Sequence, residues 1–579
     1  MKNQKKPSNL FIVSIVVVAL IIIGGCVGIA KLTLPSDPAA SCTVSATEFD
    51  SWFESGAVSL NGVVKPANSV TFSDIPNCDF YKWSEQMFLW LTSPAPARYG
   101  GGGRIFNSPA FYDVSPLVNG QRTFIPHNLG AFPFLPTPQL RTAPLGTNKL
   151  PLVIEAKTNR AFEIEPTRFG PNKKQLVQNI EGQHVEVEKI TLGGDRKPIF
   201  FDSEAKPIKG ARPIFRRELR GNLLAQRFVS NELIVVLDAT GRIIDVSPGQ
   251  ADHAALMSKQ GSLIYFQVTV NDVFAYFKTG VVNGNISATQ FPTSQGELDD
   301  IVNYATSKGK TLIDPEALAI EIKTSWVEAS TLPATELDRF ITLNATIPTY
   351  DKLDPNEWIP NGQKVAKLAL IGMHVVGSTN GHPEMIWATF EHESTAPNAI
   401  YDYKNISNVT VTVPQSTAGG NWILCANGST GPFNDQHMSV NSSNGHIQRI
   451  SPFTIDASNT LRNQAWGADR TQRPNPLVSS TAQSNSDIIS INNSVRSKLL
   501  NGDVRSHYIQ TGSTWTIGGA SPNGPFTGIA SPGKEVGTSL LANPSLETYV
   551  QAINCFACHG TNTVAVSNVW GDLQPLFTP

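Results

Sequence analysis

The pattern of hydrophobic and polar positions predicts a mixed chain in which strands predominate. Helices are predicted at 79–92, which is dense in aromatic residues, and at 296–307. Alternating β-branched and aromatic residues predict strands at 263–277, 365–376 and 385–392. We therefore expect an α+β fold with a β-rich large domain.

Two further segments bear on secondary structure and on the division into domains. A hairpin is predicted at 233–246, around a turn that ends in Gly241. Residues 402–450 are rich in Asn, Ser, Thr and Gly, which predicts short strands at most and the likeliest domain break. The expected division is a large domain at 47–420 and a C-terminal segment at 421–579.

The N-terminus carries an apolar run, Leu10 to Ala30, with lysines before it and Lys31 after it. About 20 apolar residues span a bilayer, so residues 1–31 predict an N-terminal transmembrane helix that anchors the protein. Lysines on the leading side keep the N-terminus in the cytoplasm. Residues 32–46 then read as a linker to an exported body in the periplasm.

Two alternatives to this anchor remain open. One is a signal peptide that is cleaved, although no clear small-x-small site follows the apolar run. The other is a lipoprotein signal, because Ile23-Gly24-Gly25-Cys26 resembles a bacterial lipobox with Cys26 as the lipidated residue. All three interpretations place the body outside the cytoplasm.

Composition narrows the class of protein. Hydrophobic residues make up 40% of the chain and charged residues only 16%, which fits a loop-rich exported protein with a real core. The net charge of −2 argues against general binding of nucleic acid, which needs a basic surface.

The strongest motif is Cys-Phe-Ala-Cys-His at 555–559. It matches C-x-x-C-H, the attachment signature of c-type haem. Cys555 and Cys558 would each add to a haem vinyl group, and His559 would bind the iron as proximal ligand. The sequence thus predicts one covalent haem c, with His559 as the metal ligand.

The flanks of the motif support this interpretation. Asn543 and Pro544 can begin a short helix that delivers the motif, and Gly560 can end it. A CxxC redox pair is disfavoured by the adjacent histidine, and a zinc site would need two more ligands nearby. The stretch 560–579 contains no Met, His or Cys, so any sixth iron ligand must come from upstream or be water.

Three upstream residues are candidates for the haem surroundings. His374 and His392 fall in predicted strands, and Glu391 adjoins His392. An acid–histidine pair could transfer protons on a bound oxidant, so these three are the candidate catalytic residues. The alternative is a structural role, since a buried histidine more often bonds to a backbone carbonyl than to a metal.

The six cysteines fall into three groups according to their place in the sequence. Cys26 lies in the apolar run, and two belong to the haem motif, which leaves Cys42, Cys78 and Cys425. An oxidising compartment allows disulfides. Cys42 with Cys78 is the simplest pair, with Cys425 free.

Three stretches carry a resemblance to large exported bacterial proteins labelled as a cytochrome c family. They are IEIKTSW (320–326), LIGMHVVGSTNGHPEMIWATFEHESTAP (370–397) and LANPSLETYVQAINCFACHG (541–560). The second is similar to a family motif with a Trp-x-Trp-x-x-Phe-Glu-His core, and weaker likeness appears at 82–91 and 507–515. The resemblance implies covalent haem and export, and it implies no particular substrate.

These patterns predict a membrane-anchored periplasmic c-type cytochrome that transfers electrons. A haem enzyme of peroxidase or oxygenase type is the runner-up, and a haem-based sensor is the third class. The redox partner stays open. Absence of a second CxxCH motif weighs against a di-haem peroxidase.

Overall fold

A computed structural model describes the chain from residue 29 to residue 578 with short gaps. The gaps are 40–41, 74–76, 117–120, 129–130, 138–149, 151, 156–159, 166, 173, 194–196, 217–222, 231–232, 245–252, 442–443, 451, 468–480, 525–530, 538–542, 550 and 552–554.

The described residues contain six α-helices and 22 β-strands. The helices are α1 Ala46–Trp52, α2 Asn77–Leu91, α3 Asp272–Val282, α4 Gln295–Ser307, α5 Thr481–Arg496 and α6 Cys555–Cys558. The strands are β1 Phe111–Val114, β2 Phe124–Pro126, β3 Leu152–Ile154, β4 Ala161–Ile164, β5 Leu176–Gln178, β6 His184–Glu186, β7 Lys189–Leu192, β8 Pro198–Phe201, β9 Leu223–Ser230, β10 Leu233–Asp238, β11 His253–Ala254, β12 Tyr265–Asn271, β13 Ile320–Glu328, β14 Thr342–Asp351, β15 Glu357–Thr379, β16 His382–His392, β17 Tyr401–Lys404, β18 Thr410–Val413, β19 Met438–Val440, β20 Ile447–Arg449, β21 Tyr508–Thr516 and β22 Glu535–Gly537.

A 12-stranded sheet organises the molecule, and β15 is its longest strand. Along its length β15 pairs antiparallel with β13, β14, β16 and β20. Strands from both sides of residue 420 belong to this sheet, so the expected segments 47–420 and 421–579 share it. The prediction of a β-rich α+β body is confirmed.

Five predicted elements are found, with one correction: they are those at 79–92, 263–277, 296–307, 365–376 and 385–392. Helices α2 and α4, and strands β15 and β16, lie where the pattern predicts them. Residues 272–277, predicted as strand, are helical because the Asn271 side chain caps α3 by accepting from Phe274 N at 3.0 Å. The alternation in this stretch therefore ends at the cap.

The predicted hairpin at 233–246 is found as far as residue 244, and residues 245–246 lie outside the described residues. Leu237 and Ile243 form an isolated bridge around the turn at Gly241, whose φ is +82°. The main partner of β10 is the preceding strand, β9.

The two faces of the sheet carry different partners. On one face helix α2 stacks Phe88 on Phe390, with ring centroids 4.3 Å apart. On the other face, Asn543 Nδ2 donates to Thr389 Oγ1 at 3.0 Å. Neighbouring residues of a strand point to opposite faces, so the C-terminal segment covers the face that α2 leaves.

The N-terminal transmembrane helix predicted for residues 1–31 is corrected. Within the described residues no helix combines the length and the apolar character that a bilayer crossing needs, and the longest, α5, has 16 residues. Residues 10–28, which are most of the apolar run, lie outside the described part. The end of the run is extended and belongs to the body, since Ala30 N bonds to Asn421 O at 3.0 Å and Leu32 N to Glu393 O at 2.7 Å.

The cysteine pairing is as predicted. Cys42 and Cys78 form a disulfide with a Cα–Cα distance of 5.3 Å, which ties the start of the body to α2. Cys425 is a buried free thiol, and burial raises its pKa to about 11.

Candidate haem site

Helix α6 presents the CxxCH motif as a single helical turn. Phe556, at its second position, is 3% exposed and lies against Trp387, with ring centroids 6.4 Å apart. Cys555 is partly buried in the same apolar cluster. The side chain of Cys558 lies outside what the structure describes. The contact of Phe556 with Trp387 therefore holds this helical turn against β16.

His559 continues this turn and has a fixed ring. Its backbone N–H donates to Cys555 O at 3.0 Å. Its ring Nδ1 lies 2.6 Å from the carbonyl oxygen of Val566. A carbonyl only accepts, so Nδ1 carries a proton and donates it in this contact. A histidine that binds a metal usually makes this kind of bond through its other nitrogen.

Trp387 of β16 covers the same imidazole. The ring centroids of Trp387 and His559 are 4.0 Å apart, with an angle of 40° between the planes. The indole N–H donates to Glu384 O at 3.0 Å, which fixes the ring. Sequence reasoning did not select Trp387, although it belongs to the motif that carries the family resemblance.

The residues of the motif fit a covalent haem c. The Val566 carbonyl bonds to Nδ1 of His559, so Nε2 would be the ligand atom. A Cβ at Gly560 would lie 3.0 Å from Phe556 O, so a glycine suits the end of this turn. Cys555, Cys558 and His559 would hold the group, and Trp387 would pack beside its ligand.

The lead-in to the motif differs from the predicted helix. Asn543 accepts from Ser545 N at 2.9 Å, which is a helix-capping contact. Residues 543–549 nevertheless form turns, and the sequence between them and α6 lies partly outside the described residues.

His374 connects the sheet to this lead-in. Its Nε2 lies 2.9 Å from a carboxylate oxygen of Glu547, eight positions before Cys555. Lys323 approaches the same carboxylate at 3.8 Å. Its contact with Glu547 therefore joins His374 to the segment that carries the haem motif.

Glu391 is fully buried and forms an ion pair with Arg462. Arg462 also donates to Asn398 Oδ1, and burial lowers its pKa to about 9. Glu391 and His392 are consecutive in β16 and point to opposite faces. The structure therefore does not bring them together as an acid–base pair.

His392 is bonded to the backbone through both ring nitrogens. Its Nδ1 accepts from Ser394 N at 3.2 Å, and its Nε2 lies 3.2 Å from Arg339 O. Its ring stacks on Phe340 at 3.8 Å. Burial lowers the pKa of His392 to about 3, so it is neutral and structural in this arrangement.

Comparisons of the chain with protein-family models, curated proteins and solved structures found no match.

Proposed function

We propose that the protein is an exported c-type cytochrome with one haem c, bound through Cys555 and Cys558, that transfers single electrons. The bond from His559 to Val566 O, at 2.6 Å, carries the proposal because it prepares Nε2 as the iron ligand. Haem c supplies a one-electron iron couple when bound. The chain orients the ligand, and Trp387 shields it.

The placement of the upstream candidates favours electron transfer over peroxidase chemistry. Assisted cleavage of peroxide needs an acid and a base on one side of the haem. Glu391 is paired with Arg462, and His392 is bonded to backbone atoms on the opposite face. His374 is paired with Glu547. The three candidate residues therefore do not form the acid–base pair that peroxide cleavage would need.

Export is supported by the disulfide. The Cys42–Cys78 bridge is stable in an oxidising compartment such as the periplasm, where haem c is also attached. The proposal names no redox partner.

The attachment is tested by haem staining after denaturing electrophoresis. Thioether bonds survive denaturation, so the unmodified chain should stain. Cys555→Ala with Cys558→Ala should abolish the band, while Cys425→Ala, at a buried cysteine outside the motif, should keep it. A band that persists in the double variant contradicts the proposal.

Electron transfer is tested separately by adding carbon monoxide to the reduced protein. A closed electron-transfer site should not bind it, so the absorption spectrum should stay unchanged. Ready binding would defeat the electron-transfer proposal while leaving covalent attachment intact.

A further inference from the structure

A cavity of about 710 Å³ opens beside the short strands β1 and β2. Small-molecule sites commonly measure about 300–1,000 Å³. Val569, three residues after Val566 in the C-terminal segment, forms part of its wall. No part of the haem proposal uses this cavity.

Three polar side chains that line the cavity are at least nine-tenths buried and have atoms without a hydrogen-bond partner among the described residues. They are Arg122 at Nε, His127 at Nδ1, and Gln267 at Oε1. Burying such an atom without a partner costs stability. Their convergence on one cavity therefore indicates a site for a polar ligand.

Asp113 positions two of these groups. Its Oδ1 accepts from Gln267 Nε2 at 2.7 Å and from Thr269 Oγ1 at 3.0 Å. The Nε2 atom of His127 lies 2.7 Å from the same oxygen, which fixes the position of the ring. The Gln267 amide is thus held with Oε1 available to accept from a hydroxyl group.

The charges of the lining favour an anion. Three cationic residues line the cavity, namely Arg104, Arg122 and Lys323, and Asp113 is the one described carboxylate in the lining. Lys323 also lies 3.8 Å from Glu547, so Arg104 and Arg122 contribute most of the positive charge. The carboxylate nearest to Arg122 Nε is Asp572, at 3.9 Å, which is beyond hydrogen-bond distance.

The rim of the cavity is apolar, which favours a ligand that contains a flat apolar part. Ile125, Phe132 and Phe134 line the cavity and are 45%, 48% and 40% exposed. Large apolar side chains grouped on a surface mark binding sites. Two of them are phenyl rings, which stack well on an aromatic ligand.

We infer that this cavity binds a small aromatic carboxylate that carries a hydroxyl group. Its ring contacts Phe132 and Phe134, its carboxylate accepts from Arg122, and its hydroxyl group bonds to Gln267 Oε1 or His127.

The inference is tested by titration calorimetry of the full-length protein with 4-hydroxybenzoate. One site per chain is expected. Benzoate, which lacks the hydroxyl, and phenol, which lacks the carboxylate, should each bind about tenfold or more weakly. No binding of 4-hydroxybenzoate, or equal binding of phenol, would overturn the inference.

Variants locate the site. His127→Gln and Phe134→Ala should each weaken binding of 4-hydroxybenzoate about tenfold, and Phe134 is exposed, so its loss spares the core. His184→Gln, at an exposed histidine of β6, is the matched control. Unchanged affinity in both cavity variants would reject this location. The Cys555→Ala/Cys558→Ala chain should bind equally well, which keeps the result separate from the haem proposal.

Discussion

The indole ring of Trp387 lies against the imidazole ring of His559, with 4.0 Å between their centroids. The two residues come from β16 and from the turn after α6, so the central sheet supplies one wall around His559, the proposed iron ligand. The Val566 carbonyl fixes the same ring from the C-terminal segment. The orientation of the imidazole is thus set by contacts from two different parts of the chain.

Trp387→Ala should lower the midpoint potential of the haem. Removing the indole admits water to His559, and water stabilises the more highly charged ferric state. A fall on the order of 60 mV corresponds to a tenfold change in a one-electron equilibrium. Spectroscopic redox titration measures it.

Two further variants make this prediction sharper. Trp387→Phe keeps an aromatic ring on the imidazole and should retain most of the potential. Trp90→Phe, in the buried core of α2, should leave the potential unchanged. Equal potentials in the Trp387→Ala variant and the unmodified protein would show that the ring contact does not shield the ligand.

His392 should make the fold sensitive to acid. Its pKa is lowered from 6.5 to about 3 by burial, so the unfolded chain takes up the proton first as pH falls. The free energy of unfolding should therefore fall by up to about 1.4 kcal/mol per pH unit between 6.5 and 3. Urea unfolding at a series of pH values measures this slope.

His392→Gln removes this titration and should flatten the slope on the acid side. It should also cost about 1–2 kcal/mol near pH 8, because the bonds to Ser394 and Arg339 are only partly replaced. His184→Gln, at an exposed position, serves as the control and should keep the slope. An identical slope in His392→Gln and the unmodified protein would contradict the assignment.

Glu391→Gln should destabilise the protein by about 3–5 kcal/mol, because Arg462 would stay buried without its charged partner. Replacing both residues, as Glu391→Gln with Arg462→Met, should recover much of the loss. Denaturant unfolding measures both, and haem content per folded chain should be unchanged. Loss of haem without loss of stability would instead place Glu391 in the haem pocket.

Opening the Cys42–Cys78 disulfide should lower stability by about 3–4 kcal/mol, as expected for a loop of 36 residues. Cys42→Ser with Cys78→Ser should unfold at lower guanidinium concentration than the unmodified protein, with or without reductant. The unmodified protein should shift toward the variant only when reductant is added. An unmodified protein indifferent to reductant would contradict a structural bridge.

Local sequence was sufficient for part of the site. The flanks of the CxxCH motif predicted a helix that carries it, and Cys555–Cys558 do form one helical turn, α6. Helices α2 and α4 were likewise predicted from the spacing of apolar residues within each segment. These features depend on residues close together in the chain, where geometry follows from the backbone alone.

The partners of each side chain needed the tertiary structure. Strand register sends Glu391 toward Arg462 and His392 toward Arg339, although the two candidates are adjacent in sequence. The end of the apolar run became part of the body through a bond to Asn421, which no local pattern signals.

The sequence by itself determined the chemistry offered at residues 555–559, namely two thiols and an imidazole at the spacing on which the haem proposal rests. Only the tertiary structure decided what surrounds that chemistry. Trp387 reaches His559, and His127 reaches Asp113, because strands distant in sequence pair in one sheet. Such contacts depend on the register and twist of the whole sheet, which no single segment encodes.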